Sequence, residues 1–353
     1  MSRSPEQLDQ ARRDWLAGLA RQHASQPTAQ SALALARGHW LCGDYEQAMT
    51  HFIAARDGAP AVADTHIALV RSASMLGLLE LETSALQLAL QLHPRQPELA
   101  LQAALRQVPG DLAAARDLLQ PHLQDGLCAQ FDQALAAIQA GAMPAPDRSG
   151  DPQAIARQDS LRWVQRHAPD RQVHAGMPSD VLLRALDATA GSGLTLECGV
   201  YFGRSLRLIA ERTHGAVHGF DSFQGLPEAW SAHEGAGAYS TAGRLPKVTA
   251  NVELHAGWFE HTLPPFFAAH PGPIRLLHID CDLYSSTRSV LDAADAHLVP
   301  GSVLVFDDFL GYPGYEQHEL RAFEEYADAR GLGWELIAAA LLGREVALRI
   351  TSR

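Results

Sequence analysis

Residues Leu194–Phe223 read LTLECGVYFGRSLRLIAERTHGAVHGFDSF. The apolar run LTLECGV has the length of a buried strand, RSLRLIAERT spaces its apolar residues at the helical period, and AVHGFD is again strand-like. Strand, glycine-bearing turn, helix and strand make a βαβ unit, whose crossover helix lets the two strands run parallel. Outward from this unit, VELHAG, RLLHID and SVLVFDD repeat the strand pattern, the helix-like STRSVLDAADAHL and HELRAFEEYADAR alternate with them, and WELIA and EVALRI close the chain. Helical stretches at Ser160–His167 and Pro178–Ala190 precede it. The expected fold of residues 156–353 is α/β, a doubly wound, mostly parallel sheet with its ligands beyond the carboxyl ends of the strands.

Acids stand at those strand ends. Glu197 and Gly199 lie between the first strand and its helix, with Gly203 closing the turn. A carboxylate there can take a ligand ammonium group, and glycine lets backbone approach a ligand. The dinucleotide pattern GxGxxG is absent, because Val200 and Tyr201 follow the first glycine, which speaks against a nicotinamide cofactor. Asp221 ends the second strand, where an acid bonds ribose hydroxyls of an adenosine-type ligand. RLLHID ends in Asp280, with Asp282 two residues on, and SVLVFDD ends in Asp307 and Asp308. On neighbouring strands roughly 4.8 Å apart, Asp280, Asp307 and Asp308 would gather oxygen ligands, an all-carboxylate set suited to Mg²⁺.

The N-terminal part repeats itself. LCGDYEQAMTHFIAARDGAP (Leu41–Pro60) returns 34 residues later as MLGLLELETSALQLALQLHP (Met75–Pro94), aligning Gly43 with Gly77, Phe52 with Leu86, Ala55 with Ala89 and Pro60 with Pro94. A weaker third copy begins at Gly110 and Ala115. Small residues at close helix crossings, with proline after the second helix, suit stacked antiparallel helix pairs. Over residues 25–140 this resembles the tetratricopeptide repeat, which implies a helical surface for a protein partner or substrate carrier. The expected organisation is a repeat domain over 1–140, a Pro- and Gly-rich linker over 141–155 and the α/β domain over 156–353.

Composition narrows the classes. The net charge of −12, with acids outnumbering bases in both halves, argues against nucleic acid or anionic membrane as main partner. No apolar run approaches the roughly 20 residues of a membrane span, and the N-terminus has no apolar signal core, so a cytoplasmic protein is expected. Cys42, Cys128, Cys198 and Cys281 are isolated and read as reduced packing residues.

The strings LECGVYFGRSLRLIA, GFDSFQGLPEAW, HAGWFEHTLPPFF, LLHIDCDLYSST and GSVLVFDDF, in that order, look like the macrocin O-methyltransferase family over residues 160–350. That resemblance implies a Rossmann-like class I methyltransferase fold, S-adenosylmethionine as donor, Mg²⁺ as cofactor, and methyl transfer to a hydroxyl, often of a sugar or glycan. Carried over, Glu197 and Gly199 hold the donor's methionine end and Asp221 its ribose. Gly203 and Ser222 complete the donor site, with Trp258 a further wall. Asp280, Asp307 and Asp308 hold the metal, and Asp282 is the general base. Metal coordination of vicinal oxygens lowers the pKa of a sugar hydroxyl, and a nearby carboxylate then accepts its proton. Family habit and exposed repeat edges also imply a homo-oligomer.

Two other classes use the same residues. A repeat-based interaction protein with a vestigial second domain needs none of the six acids, all of which are present. A metal-dependent hydrolase leaves Glu197 and Asp221 idle. The small-residue stretch Pro227–Val248 reads as a lid or a plain surface loop. His255, His261 and His278 read as structural, and His318 and Glu319 as helix surface.

Overall fold

The computed structural model describes residues 5–168 and 170–353. Its N-terminal part is helical: α1 (Pro5–Ser25), α2 (Ala29–Leu41), α3 (Tyr45–Gly58), α4 (Ala63–Met75), α5 (Leu79–Leu92), α6 (Pro97–Leu105), α7 (Leu112–Leu119) and α8 (Gly126–Ala140). The pairs α2–α3, α4–α5 and α6–α7 each pack on themselves. Buried Ala36, Ala48, Ala55, Ala73 and Ala89 let the helices approach closely. Gly43 and Gly77 occupy the same place in successive pairs: each follows the first helix with a left-handed backbone (φ +74° and +66°). The next amide reaches back across the end of that helix, Asp44 N to His39 O and Leu78 N to Ala73 O, both 2.9 Å, a cap that favours glycine.

The remainder runs α9 (Pro152–His167), β1 (His174–Ala175), α10 (Pro178–Ala188), β2 (Leu194–Cys198), α11 (Arg204–Arg212), β3 (Val217–Asp221), β4 (Val252–Ala256), α12 (Phe259–Ala269), β5 (Ile274–Ile279), α13 (Tyr284–Ala294), β6 (Val303–Phe306), α14 (Glu319–Arg330), β7 (Gly333–Ala340) and β8 (Val346–Ser352). The strands form one sheet in the order β1-β7-β8-β6-β5-β2-β3-β4. Only β8 runs against its neighbours, because a short turn joins it to β7 as a hairpin. The expected mostly parallel, doubly wound sheet is what the chain adopts. Strand order reverses between β2 and β5, so the crevice lies beyond their carboxyl ends. One sheet face buries Leu196, Phe220, Ile279 and Phe306, the other Val217, Leu276, Val303 and Val305.

The structure departs from the sequence reading in three places. Helix α12 forms although Pro264 and Pro265 lie inside it, because Leu263, Phe266 and Phe267 bury their side chains in the sheet's core; tertiary burial outweighs about 3 kcal/mol or more per interior proline. Strand β1, two residues long, is too short for any periodicity. Residues 141–155 are not a free linker: α9 starts at Pro152, and the Ala145 and Pro144 carbonyls accept from Gln158 (2.9 Å) and Arg162 (2.7 Å).

The helical and α/β regions therefore meet along a continuous seam. Leu161, Leu341 and Leu342 share a core with Leu101, Leu119 and Leu135. Arg106 grips Glu82 through two nitrogens (2.7 and 2.6 Å) and reaches Asp180 on α10 at 2.8 Å. At Gly176 a Cβ would overlap the Leu105 carbonyl, and at Gly43 it would stand 2.5 Å from the Phe202 side chain. Among the described residues no helix is long and apolar enough to cross a membrane, and all four cysteines are free and buried.

Candidate active site

A cavity of about 480 Å³ opens at the reversal point of the sheet. Its floor is the contact between the loops after β2 and β5. Asp280 N donates to Cys198 O (2.8 Å) and Gly199 N to Phe220 O (2.9 Å). Gly199 has φ +94°, and a Cβ there would overlap the Asp280 carbonyl, so glycine is required by both backbone and neighbour. Gly203 (φ +75°), expected at the donor, is the N-cap of α11 and is absent from the cavity lining, which the next residues, Arg204 and Ser205, enter.

Of the residues expected at the donor, Gly199, Asp221, Ser222 and Trp258 line the cavity. Asp221 is already engaged: Oδ2 accepts from Val200 N (2.8 Å) and Tyr201 N (2.7 Å), and Oδ1 from Phe223 N (2.6 Å). Three of roughly four acceptor positions of the carboxylate thus shape the turn, leaving about one for a ligand. Ser222 Oγ accepts from Gln224 N at 3.1 Å, as a turn residue does. Glu197 lies elsewhere than expected. It pairs in register with His278 one position short of the end of β2, is 0% exposed, and is absent from the cavity lining. Its Oε1 lies 2.9 Å from His278 Nδ1, and Oε2 is buried without a partner.

The acid cluster also differs from the expected set. Asp280, Asp282 and Asp308 bring one oxygen each to within 4.8 Å of one another. Asp307, expected among the ligands, is not one of those three but lines the same cavity, 3.9 Å from both Arg204 and His278 Nε2. Its charge acts on Asp280 and Asp308 more strongly than that of any other neighbouring carboxylate. Asp282, expected as base alone, joins the group because its backbone is left-handed (φ +60°), turning its carboxylate back toward the strand ends. Aspartate tolerates that conformation better than most residues. Burial, then the neighbouring carboxylates, push Asp280 and Asp282 well above the ordinary aspartate range and raise Asp308. The close counter-charge is Arg344, 2.6 Å from Asp308. Three gathered, mostly buried carboxylates, with Asp307 beside them and only Arg344 and Arg204 as nearby guanidiniums, suit an oxygen-preferring divalent cation, which would relieve their repulsion.

Several residues of the site escaped the sequence reading. Glu319, expected on a helix surface, is 0% exposed beneath the cluster; it accepts from Asp308 N (3.1 Å) and Cys281 N (3.3 Å), tying the β5 and β6 loops together. Arg344 lies over Tyr312 (4.9 Å) and Trp230 (5.8 Å). Nothing local to either residue announces this role, which arises where separate loops converge. Pro227, Trp230 and Tyr239 bring the Pro227–Val248 stretch onto the cavity wall. His261 is exposed. His255 stacks on Phe220 and gathers with His218 and Glu253 into a second group of ligating atoms at the β3–β4 edge, apart from the cavity lining. Burial lowers the pKa of both imidazoles.

Residues 196–309, about a third of the chain, match a family described as a methyltransferase domain. The match spans every acid expected at the site. Over 144 residues it is 31% identical to the 8-demethyl-8-(2,3-dimethoxy-alpha-L-rhamnosyl)-tetracenomycin-C 4'-O-methyltransferase of Streptomyces olivaceus, covering 33% of this chain and 53% of the relative. The chain thus spans about half the length of that relative. Among solved structures, it is similar to CalS11, a calicheamicin methyltransferase, with 19% identity, TM-score 0.40, and 69% of this chain and 96% of that one covered. It is also similar to the O-methyltransferase NovP, with 18% identity, TM-score 0.38, and 69% and 100% covered.

Proposed function

We propose that the protein is a Mg²⁺-dependent O-methyltransferase that moves the methyl group of S-adenosylmethionine to a hydroxyl of a sugar-containing acceptor. The observation that carries this reading is one cavity holding both the glycine turn with Asp221 and the Asp280–Asp282–Asp308 group. The matched methyltransferase domain and the sugar named in the curated relative support it.

The turn Gly199–Gly203 offers close backbone approach, and the last acceptor position of Asp221 takes a ribose hydroxyl, with Ser222 and Trp258 beside it. Glu197, below the turn and outside the cavity lining, holds His278 from behind the donor site. Asp280, Asp282 and Asp308 would hold Mg²⁺, which supplies Lewis-acid polarisation of the acceptor hydroxyl. Asp282 has two oxygens, so giving one to the ligand group leaves the other to accept the hydroxyl proton. The acceptor oxygen then forms its bond to the methyl carbon as the carbon–sulfur bond breaks, the sulfonium becoming a neutral thioether. Asp307, held near Arg204 and His278, keeps those groups oriented beside the reacting centre. Glu319 fixes the separation of the two acidic loops, and that in-line geometry is where much of the rate acceleration arises.

Calorimetric titration of S-adenosylmethionine and S-adenosylhomocysteine into metal-stripped and Mg²⁺-loaded protein tests this, with Asp221→Asn as control because alanine would free three amides. Donor binding weakened in Asp221→Asn supports the reading. Absence of donor binding under every condition would sink it.

A further inference from the structure

The second group of ligating side chains lies at the far edge of the sheet, away from the cavity. Strand β4 is the edge strand and pairs only with β3, in a parallel register that sets His218 beside Glu253 and Phe220 beside His255. Alternate residues of a strand share a face, so His218, Glu253 and His255 project from one side of the sheet. That side is the one α12 covers, where Phe266 meets His218 (4.7 Å) and His255 (5.2 Å) ring to ring. One ligating atom from each of the three residues falls within 4.8 Å of the others.

The spacing is that of a coordination shell. His218 Nδ1 stands 3.2 Å from His255 Nε2 and 3.6 Å from Glu253 Oε2. Ligands held tetrahedrally about one zinc ion at about 2.0–2.1 Å are about 3.3 Å from each other, and the two separations bracket that value. Hydrogen bonding alone serves the group less well. A single proton on His218 Nδ1 satisfies either Glu253 or His255 and leaves the other without it, whereas a cation between them takes a lone pair from all three.

Packing holds the rings for this. His255 stacks on Phe220 at 4.4 Å and 12°, which fixes the ring whose Nε2 faces His218. The ring of His270, just past the end of α12, is 5.3 Å from that of His218, and its Nδ1 lies 2.9 Å from Phe266 O. Donating that proton to a carbonyl leaves the lone pair on Nε2, the tautomer by which ligating histidines are commonly held. The Glu253 side chain is 65% exposed, so the group is open to solvent on one side.

We infer that His218, Glu253 and His255 form a Zn²⁺ site, its fourth position taken by water or by His270 Nε2, that pins the edge strand β4 to β3. Two imidazoles and one carboxylate select zinc over magnesium, the reverse of the all-carboxylate group in the cavity. None of the three residues lines the cavity, but Gly257–Glu260, directly after β4, do. The ion therefore steadies one wall of the active site from outside it, and the inference stands apart from the methyltransferase reading.

The test uses the full chain, stripped with chelator, saturated with Mg²⁺ to fill the carboxylate group, and titrated calorimetrically with Zn²⁺. Wild type is expected to bind one equivalent, and Glu253→Ala and His255→Phe to bind it about tenfold or more weakly. Phenylalanine keeps the stack on Phe220, and Glu253 is replaced at the surface, so the circular dichroism of both metal-free variants should match wild type. Asp282→Asn reads the other group: zinc affinity within about twofold of wild type locates the ion at the sheet edge. Loss of affinity in Asp282→Asn with retention in the other two variants overturns the inference, as does the absence of one-equivalent binding to wild type or unchanged affinity in both Glu253→Ala and His255→Phe. Co²⁺ supplies a spectroscopic readout: the intense visible bands of a four-coordinate ion are expected in wild type and lost in His255→Phe, and only the weak bands of a six-coordinate ion in wild type would count against the site. With zinc at a hundredfold excess over its dissociation constant, the melting temperature should rise by about 4 °C in wild type and not in Glu253→Ala.

Discussion

The helical region and the α/β region solve opposite problems. The helices bury alanine and leucine against each other, and their most deeply buried acid, Glu82 at 1% exposure, is held by two nitrogens of Arg106. The sheet region instead collects Asp280, Asp282, Asp308 and Glu319 with Arg344 as the close cation. Charge left uncompensated marks where a ligand is to be held, while compensated charge marks where the chain is being held together. The cavity forms where the two meet, with Trp40, Leu41, Tyr45 and Met75 of the helical region on its lining.

That contrast can be broken at either side. The largest effect is expected for Asp282→Asn: methyl transfer falls about a thousandfold or more, close to 4 kcal/mol, with the melting temperature unchanged or raised because one like charge leaves a buried group. A loss of stability equal to the loss of rate would place Asp282 among the structural acids. Arg106→Ala is the counterpart in the helical region. It strands Glu82 and should cost about 3 kcal/mol in denaturant unfolding, with donor affinity in the folded protein retained.

Gly176→Ala probes the seam. Its Cβ has no room beside the Leu105 carbonyl, so about 2 kcal/mol of stability should be lost, and helix pairs and sheet should still unfold in one transition when followed by circular dichroism and tryptophan fluorescence. Two separate transitions would show that the regions are independent bodies. The smallest effect concerns His174 of β1, whose pKa burial holds down at about 4. A histidine depressed in the folded state takes up protons more readily unfolded, so stability falls as pH drops from about 6.5 toward 4. Between pH 7 and pH 5.5 that loss is about 1 kcal/mol, and His174→Gln should remove it, flattening the acid side of the stability profile.

How far the site was legible depended on how local its determinants were. Asp221, Asp280, Asp307 and Asp308 end strongly apolar strands, so period and position alone bring them to the carboxyl edge of the sheet. Their partners were harder to read. Asp282 enters the ligand group through one left-handed residue, a backbone choice that DCDLY does not advertise. Asp307 lies 3.9 Å from both Arg204 and His278, two partners its strand-end position does not announce. Glu197 sits one position further inside its strand than a strand-end ligand would, and the two prolines of α12 hid a helix whose stability comes from the core it covers. Trp40, Leu41, Tyr45 and Met75 carried no signal at all as cavity-lining residues. In the helical repeat they are ordinary turn and helix-end positions.

The sequence by itself determined the alternation of strand and helix, the parallel sheet, the paired helices and the acids at the strand ends, since these follow from side-chain period and from turns a few residues long. The tertiary structure decided which acids face one another, what holds them, and that the helix pairs close the cavity. Those facts rest on contacts such as Arg244 with Cys42, 202 positions apart, whose geometry is set by how two packed regions seat on each other and by no local pattern in either.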